Sequence, residues 1–210
     1  MAKALRLYIL LLFCLINVVI AAAQTKEFYA NGNLKSIGKL EENLKIGKWQ
    51  FFYENGNLAA EENYQNGQLH GEVLYYFPGG QLMSKESWQK DLLTDSAFHY
   101  YEDGSVEKKG IYRDGQYDGT WFFYHKGSGQ LKRKGRYANG LPNGEWIIWD
   151  EQSQLSQTGS YKNGVEDGFW QFYEKGKLRF EGNYDNGKEV GTWFQYSKKG
   201  KKKVFQEYGS

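Results

Sequence analysis

The chain repeats itself about every two dozen residues, and no other property narrows so far what it can become. A glycine stands at Gly47, Gly71, Gly119, Gly144, Gly168 and Gly191, with Asp95 in the equivalent place. Two residues after each come Trp49, Val73, Ala97, Trp121, Trp146, Trp170 and Trp193, and five residues after each an aromatic: Phe52, Tyr76, Tyr100, Tyr124, Trp149, Tyr173 and Tyr196. An aliphatic residue follows the next turn at Leu34, Leu58, Leu82, Val106, Leu131, Leu155 and Leu178, with Val204 as the last of the series. The second half of each unit brings Tyr64, Trp88, Tyr112, Tyr137, Tyr161, Tyr184 and Tyr208. A unit this short buries no core of its own, so the copies have to stack and cover one another.

The turns say how. Asn66-Gly67, Asp114-Gly115, Asn139-Gly140, Asn163-Gly164 and Asn186-Gly187 are dipeptides that accept positive φ at both central positions of a two-residue hairpin. Asn31-Gly32 and Asn55-Gly56 are expected to do the same for the other turn of their units. Between turns lie five to eight residues rich in Trp, Tyr, Phe and Ile, a β composition, and no stretch keeps a 3.6-residue period. The fold class is therefore all-β: an elongated single antiparallel sheet of tandem hairpins, about eight units and 15–16 strands, on the order of 70 Å long at about 4.8 Å per strand. The recurrent Gly110, Gly135, Gly159 and Gly182 mark places where a large neighbouring ring lies over bare backbone.

Before the repeats, Lys3 and Arg6 precede an apolar run from Leu7 to Ile20, and Ala21-Ala22-Ala23 then precede Gln24. That is the layout of a secretory signal over residues 1–23, helical and cut between Ala23 and Gln24, with the repeat domain over 24–210. The alternative is a retained anchor, although the run falls short of the roughly 18 to 20 residues that span a bilayer. Export to the periplasm, outer envelope or exterior is the expected localisation. Beyond the signal there is no cysteine, which removes disulfides and thiolate sites. Setting aside Lys3 and Arg6 leaves 25 basic residues against 25 acidic ones, a balance that argues against nucleic acid as partner. Lys198-Lys199-Gly200-Lys201-Lys202-Lys203 is the one strong local charge; it reads as a solvated turn guarding a sheet edge, or as a contact to an anionic surface.

The pattern Gly-x-Trp-x-x-Tyr, Gly-x-Leu, Gly-x-Tyr-x-Asn-Gly, read in Gly119 to Gly140 and in Gly168 to Gly187, resembles the MORN repeat in its bacterial variant, over about residues 28–208. The resemblance implies an elongated hairpin sheet and a role as scaffold, protein-binding or membrane-associated module; bacterial relatives carry a YwqK-like antitoxin label, which implies neutralisation of a toxin by binding. The copy from Asp95 to Asp118 departs from the pattern in lacking the opening glycine and the Trp.

No catalytic constellation emerges. His70, His99 and His125 come from three different units, Asp and Glu are scattered singly at turns, and neither a Gly-x-Ser-x-Gly nor a phosphate loop is present. The expectation is a protein that is not an enzyme and uses no cofactor, metal or small-molecule substrate. Alternation along a strand puts Trp49, Trp121, Trp146, Trp170 and Trp193 on one face and Phe52, Tyr76, Tyr100, Tyr124, Trp149, Tyr173 and Tyr196 on the other. Either both ladders pack between units, or one stays open as a binding stripe, and the Trp ladder is the candidate. The partner expected for it is first a protein, with a surface glycan or anionic lipid as alternatives. An antitoxin-like neutraliser and a structural spacer are the competing functions.

Overall fold

The computed structural model describes residues 23–209, and in them the chain is one antiparallel meander. Its strands are β1 (Gln24–Phe28), β2 (Leu34–Glu41), β3 (Leu44–Phe52), β4 (Leu58–Gln65), β5 (Gln68–Tyr76), β6 (Leu82–Gln89), β7 (Leu92–Tyr100), β8 (Val106–Arg113), β9 (Gln116–Tyr124), β10 (Leu131–Ala138), β11 (Leu141–Trp149), β12 (Leu155–Lys162), β13 (Val165–Glu166), β14 (Gly168–Glu174), β15 (Lys177–Asp185), β16 (Lys188–Tyr196) and β17 (Lys202–Tyr208). Each strand pairs with its neighbours in the chain, and no helix occurs among the described residues. The strands number seventeen because Asp167, whose amide bonds the Ser160 carbonyl, splits one strand into β13 and β14. The signal segment lies outside the described residues apart from Ala23, and Gln24 opens β1.

The two-residue turns take the expected form. Asn66 and Gly67 have φ of 52° and 79°, and the other four Asn-Gly or Asp-Gly pairs match them. Glu42-Asn43 and Lys90-Asp91 adopt the same left-handed pair without glycine. The opposite turns differ from the expectation: at Asn31-Gly32 and Asn55-Gly56 only the glycine has positive φ. There the Asn31 and Asn55 carboxamide oxygens accept the Asn33 and Asn57 amides instead, a local side-chain turn that leaves the asparagine right-handed.

The opening glycines sit in the left-handed region, from 62° at Gly47 to 100° at Gly144, and Asp95 joins them at 56°. Their carbon-bare backbone accompanies a β-bulge in the preceding strand, where the register slips at Ile37/Lys39, Lys109/Ile111, Gly135/Tyr137 and Glu181/Asn183. At four of the five tryptophan units a carbonyl beside this slip accepts the indole of the next strand; in the remaining unit the Ser160 carbonyl accepts both the Asp167 amide and the Trp170 indole. The indole N–H groups of Trp49, Trp121, Trp146, Trp170 and Trp193 donate to the carbonyls of Lys39, Ile111, Arg136, Ser160 and Asn183 at 3.0–3.2 Å.

Candidate binding face

One face of the sheet is closed by its own side chains. Trp49, Trp121, Trp146, Trp170 and Trp193 retain at most 5% of their surface although among the described residues no second layer lies over them. Glycine explains it: each indole lies flat on Gly38, Gly110, Gly135, Gly159 or Gly182 of the adjacent strand, and a methyl group at any of these would overlap the ring. Tyrosines stand edge-on between the indoles. From Tyr137 the contacts run Trp146, Tyr161, Trp170, Tyr184, Trp193 and Tyr208 at centroid separations of 5.1–6.3 Å and interplanar angles of 69–89°. The candidate stripe Trp49, Trp121, Trp146, Trp170 and Trp193 is therefore the core and not an open surface: the bare glycines let the rings sink onto the backbone, where a ligand has no access.

Two units break this face. Where Val73 and Ala97 replace the tryptophan, Glu62 and Glu86 replace the glycine beneath it. The Tyr64 hydroxyl donates to Glu62, and the Trp88 indole N–H donates to buried Glu86 at 3.1 Å. His99 Nδ1 stands 3.9 Å from the Glu86 carboxylate, beyond hydrogen-bond reach, and burial together with the Lys108 ammonium pulls its pKa down to about 4, so at neutral pH the pair is not ionic. Lys108 Nζ in turn donates to the Tyr117 hydroxyl at 2.8 Å. Burial, then the two carboxylates, push the Tyr75 phenol well above its ordinary range.

The opposite face stays partly open. Phe52, Tyr76, Tyr100, Tyr124, Trp149, Tyr173 and Tyr196 are all half-buried there, in register with Leu58, Leu82, Val106, Leu131, Leu155, Leu178 and Lys202. Lys202 thus holds the place that the sequence spacing gave to Val204, which pairs with Phe194. Beside this line runs a second one, strand by strand: Gln50, Glu61, Leu74, Lys85, Phe98, Lys109, Phe122, Lys134, Ile147, Thr158, Gln171, Glu181 and Phe194. Its ends are internally neutralised. Glu61 takes Lys48 at 2.7 Å, which holds its carboxyl below the usual range. Glu181 takes Lys202 at 2.8 Å; burial would raise its pKa, but bonds from Lys202, Tyr196 and Gln171 outweigh it and lower the value.

Sequence reading missed one ladder altogether. Tyr29, Tyr53 and Tyr101 close the longer turns and donate their hydroxyls to the carbonyls of Phe52, Tyr76 and Tyr124, one unit further on, at 2.7–3.0 Å. His125 is the next member, its Nε2 lying 3.4 Å from the Trp149 carbonyl. The spacing of Tyr29, Tyr53, Tyr101 and His125 in multiples of 24, with Phe77 at the intervening place, was the available signal. His70 is exposed on β5, and the three histidines are not brought together. Among the described residues no group of three or more His, Cys, Asp or Glu converges as a metal site would require.

The profile of the MORN repeat variant matches residues 24–41, 45–66, 69–90, 142–163 and 171–186. No curated protein matches the chain. Among solved structures, similarity is found to chains in the crystal structures of TcdB2-TccC3-Cdc42 (13% identity, 82% of this chain and 13% of that one, TM-score 0.19) and TcdB2-TccC3-TEV (13% identity, 83% and 13%, TM-score 0.20). A third is TcdB2-TccC3 without its hypervariable C-terminal region (12% identity, 88% and 14%, TM-score 0.17). This chain spans about a seventh of the length of those chains, and overlap at such scores carries no functional weight.

Proposed function

The chain belongs to the MORN repeat variant family, and from that premise we propose that it is an exported, non-catalytic recognition module that holds an envelope macromolecule, a protein or a surface glycan, on its open aromatic face. One observation carries the reading: the Trp face is sealed by its own rings, whereas Phe52, Tyr76, Tyr100, Tyr124, Trp149, Tyr173 and Tyr196 keep part of their surface free on the other side. Tyrosine and tryptophan in such a line offer rigid apolar area with polar tips and lose little conformational entropy on contact. Export rests on the charge, apolar run and alanine triplet of residues 3–23, and the absence of a catalytic role on the lack of any recognised motif in the sequence.

The full chain immobilised as bait against its own cell envelope tests this, with captured material identified by mass spectrometry. Replacing Tyr76, Tyr124 and Trp149 by serine is expected to abolish capture; the lost cross-strand packing lowers the urea unfolding midpoint, so capture is compared at a temperature where circular dichroism shows the variant fully folded. Unchanged capture would sink the assignment of the face. A structural spacer, the reading favoured by the sealed Trp core, predicts no specific capture by either protein. A toxin among the captured material would convert the same face into that of a neutraliser.

A further inference from the structure

The central strands of the open face carry a regular alternation that the ends lack. From β5 to β11 the cross-strand line reads Leu74, Lys85, Phe98, Lys109, Phe122, Lys134, Ile147, with a lysine on every second strand and a hydrophobic residue between. Lys85 and Lys134 are exposed and Lys109 is half-buried. Lys109 Nζ lies 5.8 Å from the Phe122 ring centroid and 5.7 Å from that of Tyr124, and Lys134 approaches Phe122 at 5.8 Å. The carboxylates near this line are Glu72, which bonds Lys85, and Glu145, which shares a shallow cleft with Lys134, Arg136 and Ile147. Lys109, Lys134 and Arg136 make no ion pair among the described residues, in contrast to Lys48 and Lys202 at the two ends.

Strands lie about 4.8 Å apart, so successive lysines of this line are separated by roughly 9.6 Å, measured across the strands. That is close to the length of two sugar rings joined in an extended chain. Between the lysines lie Phe98 and Phe122, with Tyr100, Tyr124 and Trp149 alongside, flat rings suited to the C–H faces of pyranose units. Resting on the reading of this face as the recognition surface, we propose that β5–β11 bind an acidic polysaccharide laid across the strands, its repeating carboxylates meeting the unpaired Lys109 and Lys134 in turn, with Lys85, held by Glu72, at the margin of the site. Charge complementarity selects the occupant: a neutral glycan leaves the Lys109 and Lys134 ammonium groups without partners, while Lys85 already holds Glu72, and a protein partner has no reason to present anions at a fixed interval of two strands. Beyond this stretch the cations of the face, Lys48 and Lys202, are already taken by Glu61 and Glu181, so the free positive charge of the line is in the middle of the sheet.

The test uses the full chain with polygalacturonate as probe and neutral dextran as control, read by affinity electrophoresis or calorimetry. Wild type is expected to bind polygalacturonate, more weakly as salt rises, and to ignore dextran. Lys109→Gln with Lys134→Gln should weaken binding about tenfold or more, whereas Lys198→Gln with Lys199→Gln, the same loss of charge in the terminal turn, should change it less than about twofold. Equal losses in the two double variants would reveal unspecific attraction and overturn the proposal, as would tighter binding to phosphatidylglycerol vesicles or to a single-stranded oligonucleotide than to polygalacturonate. If polygalacturonate is not bound but the Tyr76, Tyr124 and Trp149 serine variant still loses its envelope partner, the acidic glycan falls and the recognition face stands; if both results are negative, both fall.

Discussion

Units built on tryptophan and units built on glutamate solve the same packing problem in opposite ways. At Trp49, Trp121, Trp146, Trp170 and Trp193 the strand before carries glycine, and the indole covers it. At Val73 and Ala97 the ring is gone, and the strand before carries Glu62 and Glu86 in place of glycine. The two positions change together every time. Space vacated by a ring is refilled by a carboxylate from the neighbouring strand, and the hydrogen-bond donor the carboxylate needs comes from the aromatic two residues later, Tyr64 or Trp88. A seven-unit sheet thus contains an apolar seam interrupted in its second and third units by a polar, hydrogen-bonded stretch. His99 Nε2 within it is already buried without a hydrogen-bond partner, so any further loss leaves more polar groups bare, which makes this stretch the sensitive part of the molecule.

Transplanting one solution into the other region gives the largest effect. Gly159→Glu drives a side chain into the Trp170 ring and buries a charge, and should cost about 4 kcal/mol or more. Trp170→Val alone should cost about 3 kcal/mol through the lost ring and the cavity over Gly159. Together the two changes recreate the Glu62–Val73 arrangement, with Tyr161 in the place of Tyr64 as donor, and should destabilise by about 1–3 kcal/mol less than their sum. Urea unfolding followed by circular dichroism measures all three. Strict additivity would mean that glycine and tryptophan are independent requirements and that the comparison drawn here is accidental.

The sequence carried the period, the hairpin turns, the aromatic ladders and the family resemblance, because each repeats and each depends on residue types with few substitutes. It also pointed to rings over Gly110, Gly135, Gly159 and Gly182. What it did not reveal was which ladder is closed. Alternation assigns residues to faces but says nothing about depth, and it is a bare glycine with a carbonyl beside it to accept the indole N–H that lets the ring sink to full burial in a single layer. The alternation of lysine and hydrophobic residues from Leu74 to Ile147 was hidden for a different reason: its members lie 11 to 13 residues apart, and bulges shift the register irregularly between them. The left-handed turns at Glu42-Asn43 and Lys90-Asp91 had no glycine to announce them.

Acid should separate the two regions next. His99, facing Glu86 of β6 and Lys108 and Tyr112 of β8, has its pKa lowered to about 4 by burial first and Lys108 second. Its folded value lies below the unfolded one near 6.5, so the unfolded chain binds the extra proton, and the stabilisation present above about pH 6.5 is lost as pH falls through about 4. The full linkage is at most about 3 kcal/mol. Unfolding midpoints measured from pH 7 to pH 4 should fall steeply in wild type and distinctly less in His99→Gln, while the apolar stretch from Trp146 to Trp193 contributes no slope of this origin. Parallel pH profiles for the two proteins would locate the acid sensitivity elsewhere.

A smaller difference sits in a single oxygen. Tyr64 and Tyr137 occupy equivalent positions, yet the Tyr64 hydroxyl donates to the Glu62 carboxylate and accepts Lys45 Nζ at 3.3 Å, whereas Tyr137 packs by its ring against Trp146 at 5.2 Å and 69°. Burial, reinforced by Glu62, raises the Tyr64 pKa above the phenol range, so the hydroxyl is a donor at neutral pH. Tyr64→Phe removes a bond to a half-buried charge and should cost about 1 kcal/mol; Tyr137→Phe keeps the edge-to-face contact and should cost less than about 0.5 kcal/mol. The comparison is sharpest in the Glu62→Gly, Val73→Trp background, which turns the second unit into a tryptophan unit. There Tyr64→Phe should become as cheap as Tyr137→Phe, since the carboxylate that made the oxygen matter is gone, and an undiminished cost would show that Tyr64 serves Lys45 and not Glu62.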